Sequence, residues 1–342
     1  MTPIPASLFF AAFALLSWYG TGRYIAYAKR NAILDIPNER SSHAVPVPRG
    51  GGVVFVILLL VLFAVLLFVL PEERALWLSL LIGGAAVALV GWIDDKRGLP
   101  PKIRLLTHAA AVAWTLFQLG GLPRLSLDFA LLPLGLFGSF LALVGGVWAI
   151  NLYNFMDGID GLAAGQAVLG ALAAAFLLKG SSPSLVLALL MLSASVLGFL
   201  LWNRPPAKVF MGDAGSGFLG FAFFTLLLRT ERGGELPALL WCVLFAPFII
   251  DATLTLLKRM RARKRLSEAH REHLYQQFII AGHSHTRVTG GVLLLSLCGI
   301  FVACGWPEYP LAVFAAVYGI LGAGWRWGYR RMERKSTCKR VK

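Results

Sequence analysis

Along most of the chain the apolar residues neither alternate nor keep to one helical stripe. They run on without a polar break and are then interrupted by short clusters rich in Lys, Arg, Asp, Asn, His, Gly and Pro. A helix needs about 20 mostly apolar residues to cross the hydrocarbon core of a bilayer. Runs of that kind centre near Leu15, Leu60, Ala85, Ala113, Leu141, Leu169, Leu190, Phe221, Leu244, Leu297 and Val317. The pattern predicts an all-α polytopic membrane protein with ten or eleven transmembrane helices, the fourth and tenth runs being the shortest. Residues 1–342 then form one integral-membrane domain, a helix bundle over 1–330 followed by a basic cytoplasmic tail over 331–342. Residues 1–20 carry no basic start and stay apolar up to Arg23, which argues against a cleaved signal peptide.

Composition sharpens this. Of 342 residues 58% are hydrophobic and 14% charged, whereas a soluble domain carries about 25% charged residues. Four cysteines, Cys242, Cys298, Cys304 and Cys338, are too few and too scattered for a disulfide framework. The net charge of +15 is unevenly distributed. With the loops after runs 1, 3, 5, 7 and 9 and the C-terminal tail on one side, that side holds 27 Lys and Arg and the other holds 5. By the positive-inside rule the N-terminus lies outside and the C-terminus in the cytoplasm. The cations fall in the gaps between apolar runs rather than on one packed face, so nucleic acid is not an expected partner.

The unusual residues sort to the cytoplasmic side, and the outer loops look short and featureless. Five cytoplasmic segments stand out. Residues 41–52 end in Arg49-Gly50-Gly51-Gly52, where glycine admits close backbone approach and Arg49 offers a forked phosphate donor. No Gly-Lys-Ser/Thr follows, so this is not a Walker loop. Asp94-Asp95 close an apolar helix at its C-terminal end, where the macrodipole disfavours anions. Adjacent helical residues point apart, so the two carboxylates should serve different partners. Lys102 and Arg104 follow.

Asn151-Leu152-Tyr153-Asn154-Phe155-Met156-Asp157-Gly158-Ile159-Asp160-Gly161 places two Asn three apart and two Asp three apart; helical spacing would project each pair to one side. Asn203 leads into Phe210-Met211-Gly212-Asp213, whose Asp either caps a helix or offers hard oxygen to Mg²⁺. The long basic loop carries His270-Arg271-Glu272-His273 and then His283-Ser284-His285. With no cysteine beside them and no His-Glu-x-x-His helix, zinc is a poor reading; a solvated loop and an anion or sugar-phosphate site are the others. Asp251 is the clearest charge inside an apolar run and reads as a cytoplasm-proximal polar contact.

Carboxylates, amides and cations gathered at the cytoplasmic edge of a bundle suit phosphoryl transfer between a soluble nucleotide and a lipid-anchored acceptor, a reaction that needs alignment and charge neutralisation. In their order and spacing, Asp94-Asp95, Asn151-x-x-Asn154-x-x-Asp157-Gly158-x-Asp160-Gly161, Phe210-Met211-Gly212-Asp213-x-Gly215-Ser216 and the His loop resemble the polyprenyl-phosphate N-acetylhexosamine-1-phosphate transferases of glycosyltransferase family 4. That family includes the peptidoglycan translocase MraY and WecA/WbpL-type initiators of O-antigen. The resemblance covers about residues 20–330.

The resemblance implies a reaction between a UDP-N-acetylhexosamine and undecaprenyl phosphate that releases UMP, in a bacterial inner membrane with the N-terminus periplasmic. It implies Mg²⁺, with Mn²⁺ as a substitute, held by Asp213 with help from Asn154. Asp94 becomes the base or the nucleophile, Asp95 its support, and His270 joins the catalytic set. Phe210 is expected on the uracil, with Gly158, Ile159 and Asp160 lining a uridine pocket beside Asn203. Asn151, Asp157, Arg49, Lys102, Arg104, Arg271 and His273 complete the expected substrate contacts. A homodimer is compatible with all of this. The translocase has His-His-His-Phe-Glu and WecA-type enzymes have His-x-His-His, whereas this chain reads His270-Arg271-Glu272-His273-Leu274-Tyr275-Gln276. That departure favours O-antigen initiators, with GlcNAc or a 6-deoxy sugar such as N-acetylfucosamine or N-acetylquinovosamine. The alternatives are a membrane glycosyltransferase forming a glycosidic bond and a lipid or sugar transporter. The first commonly carries a soluble nucleotide-binding domain, and the longest non-membrane segment here is 258–289. The second would need charges inside the spans, where Asp251 stands nearly alone.

Overall fold

The computed structural model describes residues 6–37, 45–265 and 270–340. Residues 41–44 of the first cytoplasmic segment, Arg40 of the charge count and the last two residues of the tail lie outside them. Long apolar runs with no water to satisfy their amides close their hydrogen bonds within helices, and each of the eleven expected centres lies in one. The helices are α1 (Ala6–Arg30), α2 (Val53–Val69), α3 (Arg74–Leu78), α4 (Gly84–Arg97), α5 (Pro101–Leu119), α6 (Gly135–Phe155) and α7 (Leu162–Leu177). After them come α8 (Pro183–Asn203), α9 (Asp213–Gly233), α10 (Ala238–Leu244), α11 (Ala246–Arg261), α12 (Leu274–Ile280), α13 (His285–Gly305) and α14 (Pro310–Arg340).

A π-turn over Ser79–Gly83 joins α3 to α4, so Pro71–Arg97 is one rod. Its glycines face α9: a Cβ on Gly84 would come within 2.9 Å of the Phe218 ring. Among the described residues, four helices are long and apolar enough to cross a membrane by length and composition: Pro71–Arg97, Gly135–Phe155, Pro183–Asn203 and His285–Gly305. Together α10 and α11, bent by 85°, make a fifth. The all-helical expectation needs one amendment, because two short antiparallel ribbons occur. Leu34–Asp35 (β1) pairs with Val47–Pro48 (β2), and Arg124–Ser126 (β3) with Leu131–Pro133 (β4).

Helix α9 is the axis. Its residues from Ala214 to Leu226 are buried without a gap, and it packs against α4 and α6. A second layer places α1 and α7 against α8. Outward, large apolar side chains stand bare: Phe68, Phe117, Leu136, Phe301 and Ile320 are each more than 70% exposed. So continuous an apolar exterior is tolerable only against lipid.

The end of the bundle away from Asp213 is better built than its short loops suggested. Arg229 of α9 donates to Glu73 at 2.7 Å and to Glu235 at 3.0 Å. The fully buried Glu231 accepts the backbone N–H of Ser126 and of Ala238, both at 2.6 Å, tying the β3–β4 ribbon to α10. These contacts fix the end of α9 opposite Asp213.

Candidate active site

The site is built around the start of α9. Residues 48–52 lie along 209–211, with Phe210 N–H donating to the Pro48 carbonyl at 2.8 Å. Gly51 and Gly52 return bonds to the carbonyls of Phe210 and Met211, both at 2.9 Å. A Cβ on Gly52 would fall 2.8 Å from the Cα of Gly215, so this approach needs glycine. At Gly212 the backbone turns with φ +79°, and a Cβ there would meet Asp95 Oδ2 at 2.5 Å. That turn exposes the first N–H groups of α9, which have no partner within their helix. Asp95 supplies one from α4, accepting from Asp213 N at 3.0 Å and Ala214 N at 3.3 Å. A carboxylate at a helix N-terminus is also favoured by the macrodipole.

The adjacent aspartates serve different partners, as their helical geometry required. Asp95 takes Arg49 Nε at 2.8 Å, whereas Asp94 takes Arg104 Nη1 at 2.6 Å and the Leu99 N–H at 2.5 Å. Both arginines continue to Asp213: Arg49 Nη2 lies 3.3 Å from Oδ1, and Arg104 Nη1 lies 3.2 Å from Oδ2. Two guanidiniums thus hold three carboxylates from α4 and α9 together. Tyr24 of α1 donates to the Arg49 carbonyl at 2.6 Å and holds that residue's backbone.

Asn154, in the last turn of α6, donates to Ser216 Oγ at 3.0 Å, and Ser216 donates to the Gly212 carbonyl at 3.0 Å. The expected helical pairing of Asp157 with Asp160 does not occur, because α6 ends at Phe155 and both aspartates lie in the turn that follows. Asp157 faces the carboxylate cluster. Burial, and then the charges of Asp213 and Asp95, push its carboxyl well above the ordinary carboxylate range. Asp160 turns the other way, accepting Ala207 N–H at 3.0 Å with its second oxygen 3.1 Å from His285 Nδ1. Asn203 likewise braces the loops, accepting Gly161 N–H at 3.1 Å and donating to the Val209 carbonyl at 2.9 Å. Asn151 donates back to its own helix at Val147, Ile159 is buried, and Lys102 is exposed.

The His loop borders the same end of α6. The Phe155 ring lies 5.9 Å from His273 and 6.4 Å from His270, and the two imidazoles are 5.0 Å apart. Tyr275 donates to the Phe155 carbonyl at 2.8 Å and presses on Gly158, where no Cβ would fit. Burial, then repulsion from His273 and Arg259, lowers the His270 pKa to about 4, and burial lowers His273 as well. Both imidazoles are therefore neutral at neutral pH. Arg271 gives its carbonyl to Gln277 Nε2 at 2.6 Å.

The structure therefore brings Asp94, Asp95, Asp213, Arg49, Arg104 and Asn154 into one cluster with Asp157 beside it, while His270 and His273 pack on Phe155 at the end of α6. Asp160 and Asn203 act as braces between loops. Phe210 contributes backbone pairing, and its ring is half-buried. Sequence reasoning passed over Tyr24, Tyr275 and the Asp160–His285 contact. The His283-Ser284-His285 spacing was the one signal for the last; nothing local marks the tyrosines.

Helices with an apolar exterior and a charged cluster at one end define an integral-membrane enzyme. Residues 77–231 match the family model described as "Glycosyl transferase family 4". Over 338 residues the chain is 30% identical to the "Decaprenyl-phosphate N-acetylglucosaminephosphotransferase" of Mycobacterium leprae (strain TN), covering 85% of this chain and 80% of that protein. It is 31% identical over 276 residues to the "Probable undecaprenyl-phosphate N-acetylglucosaminyl 1-phosphate transferase" of Bacillus subtilis (strain 168), covering 78% and 74%. It is 30% identical over 307 residues to the "Undecaprenyl-phosphate alpha-N-acetylglucosaminyl 1-phosphate transferase" of Escherichia coli (strain K12), covering 84% and 81%. The chain belongs to glycosyl transferase family 4.

Proposed function

We propose that this protein transfers N-acetylglucosamine 1-phosphate from UDP-N-acetylglucosamine to undecaprenyl phosphate, giving UMP and a lipid pyrophosphoryl sugar. It is a polyprenyl-phosphate N-acetylhexosamine-1-phosphate transferase. An oxygen of the lipid phosphate forms a bond to the sugar-proximal phosphorus, and the bridging P–O bond breaks, with the bridging oxygen leaving on UMP. The observation that carries this reading is the convergence of Asp94, Asp95 and Asp213 with Arg49 and Arg104 at the α9 N-terminus.

Each residue has a part. Arg49 and Arg104 are free to turn their remaining donors to phosphate oxygens, a geometry the guanidinium fork suits. The α9 N-terminus adds positive potential where the pyrophosphate charge is highest. Asp94 takes the last proton of the lipid phosphate, whose second pKa is near 6. His270, His273, Arg271 and Asp157 line the donor side, and Phe210 stacks on the base.

The donor set suits Mg²⁺, which prefers hard oxygens and is commonly held by one or two carboxylates together with substrate phosphates. Asp213, with Asn154, would hold it, and it would neutralise developing charge on the transferred phosphoryl group. Among the described residues no three His, Cys, Asp or Glu side chains form a ready-made cage.

The prenyl chain has a place to lie. A cavity of about 300 Å³ between α6, α9 and α10 is lined almost wholly by apolar side chains, among them Trp148, Leu152, Phe223 and Trp241. Leu152 and Tyr153 of its wall immediately precede Asn154 in the chain. An acceptor lying there presents its phosphate to the cluster. Eleven spans, with a periplasmic N-terminus and the site on the cytoplasmic face of the inner membrane, complete the proposal. All the residues invoked come from one chain.

The test is UMP release with purified protein, undecaprenyl phosphate, Mg²⁺ and a panel of UDP-sugars. UMP from UDP-GlcNAc supports the full proposal, and UMP only from a 6-deoxy donor would change the sugar. UDP release would instead indicate glycosidic-bond formation.

A further inference from the structure

Asp251 remains without a part in this chemistry. It lies on α11 with Thr255 and Arg259, spaced by four residues and therefore on one helical face. All three are buried, with exposures of 6%, 1% and 3%. Asp251 and Arg259 are not paired with each other. A buried charge left without partners is costly, and here each charge is spent on the His loop.

At one end, Asp251 caps α12. Its Oδ1 accepts Leu274 N–H at 2.8 Å and its Oδ2 accepts Tyr275 N–H at 3.1 Å. Thr255 at 3.2 Å and Trp325 of α14 at 3.0 Å add further donors. At the other end, Arg259 Nη1 pairs with Glu272, and Nη2 donates to the Arg265 carbonyl at 2.8 Å. Lys264 also reaches Glu272, at 3.0 Å. His270 and His273 lie between and beside these two grips, their rings packed at a tilt against Phe155.

We propose that Asp251 and Arg259 are positioning residues that clamp residues 270–275 from one face of α11 and so hold His270 and His273 against the donor-binding end of α6. The proposal rests on the transferase reading for the meaning of that end. Neither residue touches the reacting atoms; both act through the loop they hold.

The test uses the full chain in detergent with Asp251→Asn, Arg259→Gln, Arg259→Lys and Glu272→Gln. Backbone hydrogen exchange over 270–280 is expected to accelerate in Asp251→Asn and Arg259→Gln. The donor KM should rise by about tenfold or more with a smaller change in kcat, as expected for displaced binding groups. Mn²⁺ affinity at the Asp213 cluster, read by electron paramagnetic resonance, should stay at the wild-type value. Arg259→Lys should recover part of the loss. The double variant Arg259→Gln/Glu272→Gln should be no worse than the poorer single, because the two share one interaction. Unchanged exchange over 270–280 in both Asp251→Asn and Arg259→Gln would overturn the clamp. So would loss of Mn²⁺ affinity alongside the raised KM, which would make these residues general supports of the fold. If the wild-type protein releases no UMP, the transferase reading fails, and accelerated exchange still supports the clamp.

Discussion

At the scale of single residues, Asp213 is the point on which the cluster turns, because Arg49, Arg104 and the turn at Gly212 all converge there. Asp213→Asn keeps the shape and removes the charge. It is expected to cut UMP release by about 100-fold or more, in the range seen when one preorganised electrostatic group is lost. Mn²⁺ binding should weaken in parallel, and retention of both would remove Asp213 from the metal. Asp94→Asn should abolish turnover while UDP-sugar binding, measured by titration calorimetry, is kept. Lost binding would make Asp94 a binding residue instead. Gly212→Ala tests the turn itself. A side chain at φ +79° is strained by about 1–2 kcal/mol, and here its Cβ would also strike Asp95. A lowered melting temperature together with lost activity is expected. The motif residues of this cluster are legible in the sequence because each motif groups several polar residues and glycines within a few positions, although the motifs themselves meet across as many as 164 residues. Tyr24 and Tyr275 are not, because each is a single aromatic outside any such group whose hydrogen bond, to a carbonyl 25 or 120 residues away, only the fold shows.

At the scale of elements, helices were readable from apolar run length, but the loops between them were not. The three-residue spacing of Asp157 and Asp160 suggested one helical face. The helix instead ends at Phe155, and the turn sends one aspartate to the cluster and the other to His285. Asp251 read as a simple polar contact, and only the fold shows the cap it provides to a helix that starts 23 residues later. The His loop also makes a pH prediction. His270 has an ordinary pKa of 6.5 lowered to about 4, with burial, His273 and Arg259 opposing its charge and Glu272 favouring it. The unfolded chain therefore takes up a proton that the folded chain refuses. This contribution to stability is present above pH 6.5 and is lost as pH falls toward about 4. Melting temperature should decline across that window in the wild type and less steeply in His270→Gln. Equal slopes would contradict the depressed pKa.

At the scale of the whole molecule, the 27-to-5 division of Lys and Arg and the position of the acidic cluster point to the same face. A C-terminal fluorescent-protein fusion should therefore be bright and a C-terminal alkaline phosphatase fusion inactive in bacterial cells. The reverse pattern would invert the proposed topology and separate the site from cytoplasmic UDP-sugar. The end of the bundle away from Asp213 was the least legible region. Its loops are short, yet Arg229 and Glu231 organise them from within α9, a role invisible without the fold.

The central claim joins cluster, groove and family in one reaction, so the most direct test is nucleotide release itself. Purified protein in detergent is given UDP-GlcNAc with undecaprenyl phosphate and Mg²⁺, each omitted in turn, with Asp213→Ala as the blank. The account predicts UMP that requires the lipid, the metal and Asp213 together. UMP formed without the lipid phosphate, or undiminished in Asp213→Ala, would contradict it.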